Sequence, residues 1–390
     1  MERLSIATIC FSGTVGGLEL ATLRRGAELK ARGHHVVAIL PDSAALAEQA
    51  ARLGLQYLTL TPALHYADPF AAARLRRIFE RESTQLVLVA RTRDLSTAML
   101  AAGHDRAVVL YQQMQSGLDK RDWFHDRVYR RLDGCITITR LGRDDLERHT
   151  VLAPEKITTI PYPIDARHYS SHRIDRSSAR RAYGVADDAF VVGIVGGFNP
   201  GKGQLELLEA IEIAAQRSPV FARSVSAILV GIREADDSAY VHRLEELRAS
   251  LRFAGRIGFF PFANDTRLAY RAMDVFVLAS HCETFGMVLQ EAMAMGTPVI
   301  GTDCAGVPEI IRDGTTGVLV RPRDPAELAD AILYLFADAT LRERLASRAR
   351  ESVIERYDPE RHYEAFENAL FAALERRRGM TLRIRRDTAR

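Results

Sequence analysis

Residues 280–291 read Ser-His-Cys-Glu-Thr-Phe-Gly-Met-Val-Leu-Gln-Glu, and the run before them is Val275-Phe-Val-Leu-Ala279. Five consecutive apolar residues of this kind read as a buried strand. Glu283 follows the strand, Thr284-Phe285-Gly286 makes a turn, and a helix beginning near Thr284 to Phe285 carries Glu291. A strand that is apolar throughout belongs to a parallel sheet covered on both faces. Strand, glycine turn and helix together are the repeating unit of a doubly wound α/β fold.

A helix start leaves its first N–H groups unpaired and turns a positive dipole end outward. Phosphate is a natural occupant of such a site. Glu283, just outside the helix, can accept hydrogen bonds from sugar hydroxyls. Glu291 lies about two turns further on. At 1.5 Å rise per residue the two carboxylates are on the order of 10–12 Å apart. That is roughly the reach from a hexose across a diphosphate to a ribose, so a nucleotide sugar fits the spacing. A solvated helix with two surface acids would read the same way, so the pair alone does not decide.

Outward from this stretch the same unit recurs. The first half has apolar runs at 4–11, 36–40, 56–60, 86–90, 108–112 and 135–139, with helical segments between them, for example 17–32 and 69–82. After a polar stretch at 168–182, which reads as a linker or domain entry, runs recur at 190–195, 227–230, 257–260, 275–279, 299–301 and 318–320. From Pro325 the pattern is helical to the end, broken at Tyr357-Asp358-Pro359, with one last long helix over 360–378. The expectation is two doubly wound domains, 1–165 and 166–358, then a helix and basic tail over 359–390.

Three further loops carry chemistry. The first strand ends in Ser12-Gly-Thr-Val-Gly-Gly-Leu-Glu19, where Gly16 and Gly17 permit close approach of a ligand. The spacing is not that of a dinucleotide fingerprint. In the second half Gly196-Gly-Phe-Asn-Pro-Gly-Lys-Gly203 joins a strand to a helix, and Lys202 there is placed to neutralise phosphate. It lacks the P-loop spacing. Gly301-Thr-Asp-Cys-Ala-Gly-Val-Pro-Glu-Ile-Ile311 repeats the pattern, with Pro308 suited to a first helical turn. No Asp-x-Asp triplet occurs, so no metal is expected; lysine, arginine and helix ends would carry the charge of a diphosphate.

Bulk properties narrow the class. No apolar run nears the roughly 20 residues that span a bilayer, and the first ten residues read straight into a strand rather than a signal peptide. Cys10, Cys135, Cys282 and Cys304 are scattered without metal spacing, as free thiols in a reducing cytoplasm would be. Net charge is +3, but residues 371–390 hold seven arginines against Glu375 and Asp387, a tail of +5 on a remainder of −2. The tail, and the mixed basic and aromatic stretch 119–131 with Trp123, could meet anionic lipid. A frayed end and an amphipathic helix packed on the sheet are the plainer accounts. Nothing points to nucleic acid.

In sum these residues resemble glycosyltransferase family 4, retaining enzymes of the GT-B architecture. The resemblance runs nearly end to end. It includes Gly16, Gly17 and Glu19, the Lys202-Gly203 turn, Glu283 to Gly286 with Glu291, Ala292-Met-Ala-Met-Gly-Thr-Pro-Val299, Gly306-Val-Pro-Glu309 and Asp313-Gly-Thr-Thr-Gly317. It implies two Rossmann-like domains facing a cleft, with the last helix crossing back to the N-terminal one. The first would bind a glycan or lipid-linked acceptor and the second the nucleotide sugar. Glu291 would hold ribose hydroxyls, Glu283 and the backbone of Thr284, Phe285 and Gly286 the sugar, and Lys202 the leaving diphosphate. Gly17 and Gly197 would line the donor side, and Glu19, Gln112 and Gln113 the acceptor and sugar side. No cofactor is implied. The setting would be cytoplasmic, peripheral at the inner face of the membrane, in envelope or polysaccharide assembly. Two departures stand out. Gly197 occupies the place of a usual arginine, for which Arg233 or Arg140 could substitute, and Gln112 or Gln113 stands where a histidine is common. Glutamine cannot act as acid or base. Rival readings are a nucleotide-sugar epimerase of the same architecture and a binding scaffold without turnover.

Overall fold

Among the described residues thirteen strands form two sheets, and every strand pair there is parallel. The computed structural model describes residues 2–12, 17–64, 66–112, 121–232, 238–262 and 265–388, with the side chains of residues 17, 112 and 380–388 outside that description. The chain divides into two units, Met1–Pro161 with Glu360–Arg390, and Tyr162–Pro359.

The first unit holds β1 (Ser5–Ile9), β2 (His35–Leu40), β3 (Gln56–Thr59), β4 (Leu86–Val89), β5 (Ala107–Gln112), β6 (Gly134–Thr137) and β7 (Ile157–Thr159), in the order β3-β2-β1-β4-β5-β6-β7. β1, β2 and β4 are buried almost throughout, as strands covered on both faces must be. The edge strand β7 escaped the sequence reading, because three residues of which two are threonine leave no apolar run.

The second unit holds β8 (Phe190–Val195), β9 (Val225–Ile232), β10 (Ile257–Pro261), β11 (Val275–Leu278), β12 (Val299–Thr302) and β13 (Val318–Val320), in the order β10-β9-β8-β11-β12-β13. The chain winds one way from β8 to β9 and β10, and the other way from β11 to β12 and β13. The loops after β8 and β11 therefore part on neighbouring strands, and ligands of such sheets bind in the crevice this leaves. The polar stretch 168–182 is not a bare linker: Arg176–Ala182 is a helix, and Arg176 and Arg180 clasp Asp274, the residue before β11, at 2.6 and 2.7 Å.

The last helix runs Pro359–Thr388, ten residues beyond the expected end, and from Glu360 it belongs to the first unit. Glu367 binds Arg32 at 3.1 Å and lies 3.0 Å from His34. Phe366 packs against Tyr111 of β5, and the Arg25 guanidinium lies 3.5 Å over the Tyr111 ring. Arg377 meets Asp133 in a buried pair at 2.8 Å, and Asp133 also accepts from the Val108 amide. Arg376 donates to the carbonyls of Asp133 and Glu155. Two of the tail's arginines thus fasten the helix to the sheet rather than face a membrane. No helix among the described residues is long and apolar enough to cross one.

Candidate functional site

In the second unit the turn after β8 and the turn after β11 are built onto each other. Asn199 accepts from the Gly201 amide at 3.1 Å and opens a single 3-10 turn, Pro200–Lys202. Gly203 follows at φ 71°, and a Cβ there would collide with the Ala279 carbonyl at the end of the strand, so only glycine lets the turn lie this close. The His281 amide donates to the Gly201 carbonyl at 2.9 Å. Gln204, fully buried at the start of the helix Gln204–Arg217, donates to the Gly197 carbonyl at 3.0 Å and accepts from the Tyr240 hydroxyl. Gly197 contributes backbone here, and no arginine stands at this place.

This closeness brings Lys202 and Glu283 together. Lys202 Nζ lies 2.6 Å from Glu283 Oε2, with the two side chains 35% and 16% exposed. Ser280, fully buried, donates to the same oxygen at 3.4 Å, and the Glu283 carbonyl accepts from the Gly306 amide. The two groups expected to hold phosphate and sugar are paired with each other.

The helix carrying Glu291 begins at Met287, not near Thr284 to Phe285. Gly286, at φ 89°, caps it in a left-handed conformation, so residues 284–286 are a turn placed ahead of the first helical amides. Phe285 is buried, its ring edge-on to Tyr162 and Tyr357. Its side chain anchors the turn, and only its backbone can face a ligand. Glu291 Oε2 accepts from Tyr270 Oη at 2.8 Å and Thr266 Oγ1 at 3.0 Å. A second pair borders the site, His281 Nε2 with Glu206 Oε1 at 2.6 Å. Sequence reasoning missed Thr266, Tyr270, Ser280 and the Glu206–His281 pair, because each meets its partner only through the fold.

Of the remaining expected residues, Glu19 is buried on the helix Gly17–Ala31 that follows β1, with Gly17 at its start. Gln112 ends β5, paired in register with Thr137. Gln113, Gly16 and Arg233 lie outside the described residues, as does the Gln112 side chain. Arg140 opens the helix Arg140–His149 of the first unit. Cys282 is exposed beside Glu283, and burial pushes the Cys304 thiol above its ordinary pKa. Among the described residues no group of three or more His, Cys, Asp or Glu could hold a metal ion.

Two cavities at the opposite, amino-terminal edge of the second sheet are about 500 and 360 Å³. Several of the arginines that line them are held by the protein itself: Arg256 by the carbonyls of Arg223 and Ala222, and Arg180 by three carbonyls and Asp274.

Two all-parallel Rossmann-like units, with a terminal helix returning to the first, define the GT-B class. "Glycosyl transferases group 1" matches residues 175–352 and "Glycosyltransferase Family 4" matches residues 15–168. The chain belongs to glycosyltransferase family 4. Over 227 residues it is 35% identical to the D-inositol 3-phosphate glycosyltransferase of Geodermatophilus obscurus, a match covering 58% of this chain and 49% of that protein. The chain spans about half the length of the curated relatives it matches. In fold it is similar to a glycosyltransferase from Rickettsia africae, at TM-score 0.84 and 20% identity over 95% of this chain and 99% of that one. It is also similar to Anabaena Alr3699/HepE in complex with UDP, at TM-score 0.82 and 23% identity over 95% and 100%.

Proposed function

We propose that the protein is a retaining, metal-independent glycosyltransferase that moves a sugar from a nucleoside-diphosphate sugar to a glycan or lipid-linked acceptor. The observation that carries this is the junction of Lys202 and Glu283 at the switch point of the second sheet, with Glu291 on the helix that follows Glu283 directly. The second unit takes the donor and the first unit the acceptor. Glu291 holds the ribose, and Glu283 with the backbone of Thr284 to Gly286 holds the sugar. When donor enters, its diphosphate replaces Glu283 as the partner of Lys202, and the freed carboxylate turns to the sugar hydroxyls. As the bond from the anomeric carbon to the phosphate oxygen breaks, Lys202 stabilises the charge growing on that oxygen. The acceptor hydroxyl attacks from the same face and gives its proton to the leaving phosphate, so configuration is kept and no protein base is needed. Gln112 and Gln113 hydrogen-bond the sugar in this scheme.

Support for a nucleotide-sugar donor also comes from the Anabaena protein, whose structures hold UDP and UDP-glucose. The name of the sequence relatives makes a phosphorylated polyol one acceptor to try. Envelope or polysaccharide assembly at the inner face of a membrane is the setting we propose. The face that would meet lipid is on the first unit: Trp123 is 78% exposed at the start of the helix Trp123–Arg130, beside exposed Arg121, Arg127 and Arg130.

The test is nucleoside-diphosphate release from a panel of UDP-, GDP- and ADP-sugars, with and without acceptors including inositol phosphate. Release that depends on acceptor, with the α or β configuration retained by NMR, is the expected result. Epimerised donor without acceptor would establish the epimerase reading instead. Donor that binds and survives every acceptor would establish a scaffold.

A further inference from the structure

We propose that Tyr270 and Thr266 are positioning residues that orient the Glu291 carboxylate toward a ribose diol and so set a preference for ribonucleotide over deoxyribonucleotide carriers. The inference rests on the donor reading above and adds two side chains to it. Both hydroxyls donate to one oxygen of Glu291, Tyr270 at 2.8 Å and Thr266 at 3.0 Å. Two donors on one oxygen fix the plane of the carboxylate, and a carboxylate accepts more hydrogen bonds than these two. Neither donor is a mobile surface group. Tyr270 is fully buried and Thr266 nearly so. Tyr270 lies on the short helix Arg267–Ala272, its ring against Phe276 of β11 and its carbonyl accepting from Thr297 Oγ1 at 2.9 Å. The helix that carries Glu291 runs Met287–Ala294. The hydroxyl is therefore referenced to the sheet on one side and to the segment after Glu291's helix on the other. Burial, and then the charge of Glu291, holds the phenol well above its ordinary pKa, so it stays protonated and remains a donor.

Tyr270→Phe keeps the ring and removes only the hydroxyl, and Thr266→Val does the same for the second donor. Calorimetric affinities would be measured for the full chain with UDP, GDP and ADP, and with the 2′-deoxy and 3′-deoxy counterpart of whichever binds. The parent is expected to prefer the ribonucleotide by about tenfold or more, the worth of a hydrogen bond to a charged group. Tyr270→Phe is expected to lose most of that preference by weakening the ribonucleotide, while affinity for the deoxy analogue stays put. Thr266→Val should move the same way by less. If Tyr270→Phe discriminates as the parent does, the inference is overturned. It is equally overturned if both ligands weaken together, which is what a purely structural phenol would give. A parent that ignores the ribose hydroxyls instead overturns the reading of Glu291 itself.

Discussion

Lys202 and Glu283 each make sense alone, as a cation for phosphate and an acceptor for sugar, but the structure shows them spent on each other. An ion pair this exposed contributes little to stability, since solvent screens it. Its consequence is competition: the carboxylate holds the charge that a diphosphate would claim. Glu283→Gln is therefore expected to bind free nucleoside diphosphate a few-fold more tightly, measured by calorimetry, while transfer from the sugar nucleotide falls because the sugar exchanges a charged acceptor for a weaker neutral one. Unchanged diphosphate affinity would mean that the pair does not compete with ligand. The sequence carried Lys202, Glu283 and Glu291 openly, because glycine turns at strand ends mark where backbones approach closely. Their mutual pairing was invisible, being a contact across 81 positions that depends on Gly203 fitting under the Ala279 carbonyl. Thr266 and Tyr270 were invisible for the same reason.

Twelve of the thirteen strands among the described residues were legible as runs, and most of these are buried on both faces, which leaves no alternation to misread. The ends of helices were less so. Gly286 in its left-handed cap delays the helix to Met287, and propensity alone does not reveal a cap that replaces a first turn. The last helix outran its expected end, and what holds it to the first sheet is tertiary. His362 on that helix is buried, its Nδ1–H donating to the Pro161 carbonyl at 2.8 Å. Burial, helped by the Arg25 charge, lowers its pKa from 6.5 to about 4. The unfolded chain then binds a proton between pH 6.5 and 4 that the folded one refuses, so stability falls as pH drops through that window. The loss amounts to about 3 kcal/mol by its lower end. Thermal unfolding from pH 7 to 4.5 should show it, and His362→Gln should flatten that slope; an equal slope in both would assign the acid sensitivity elsewhere.

At the scale of the molecule, family and fold accord with the proposed donor crevice, while the proposed acceptor half falls to the first unit, whose most exposed aromatic residues include Phe70, Tyr66 and Trp123. Trp123 is the chain's one tryptophan, so it reports on its own surroundings. If this face meets an anionic bilayer, Trp123 emission should shift to the blue with phosphatidylglycerol vesicles at low salt and return at high salt. No shift at low salt would remove the membrane from the account. The central claim, that the crevice between the turns after β8 and β11 takes a nucleotide sugar, is tested most directly by titrating donor into the parent, Lys202→Ala and Glu291→Ala in a calorimeter. Each substitution removes one charge-assisted contact and should weaken binding by about 10- to 100-fold. Parental affinity in both variants would contradict the site.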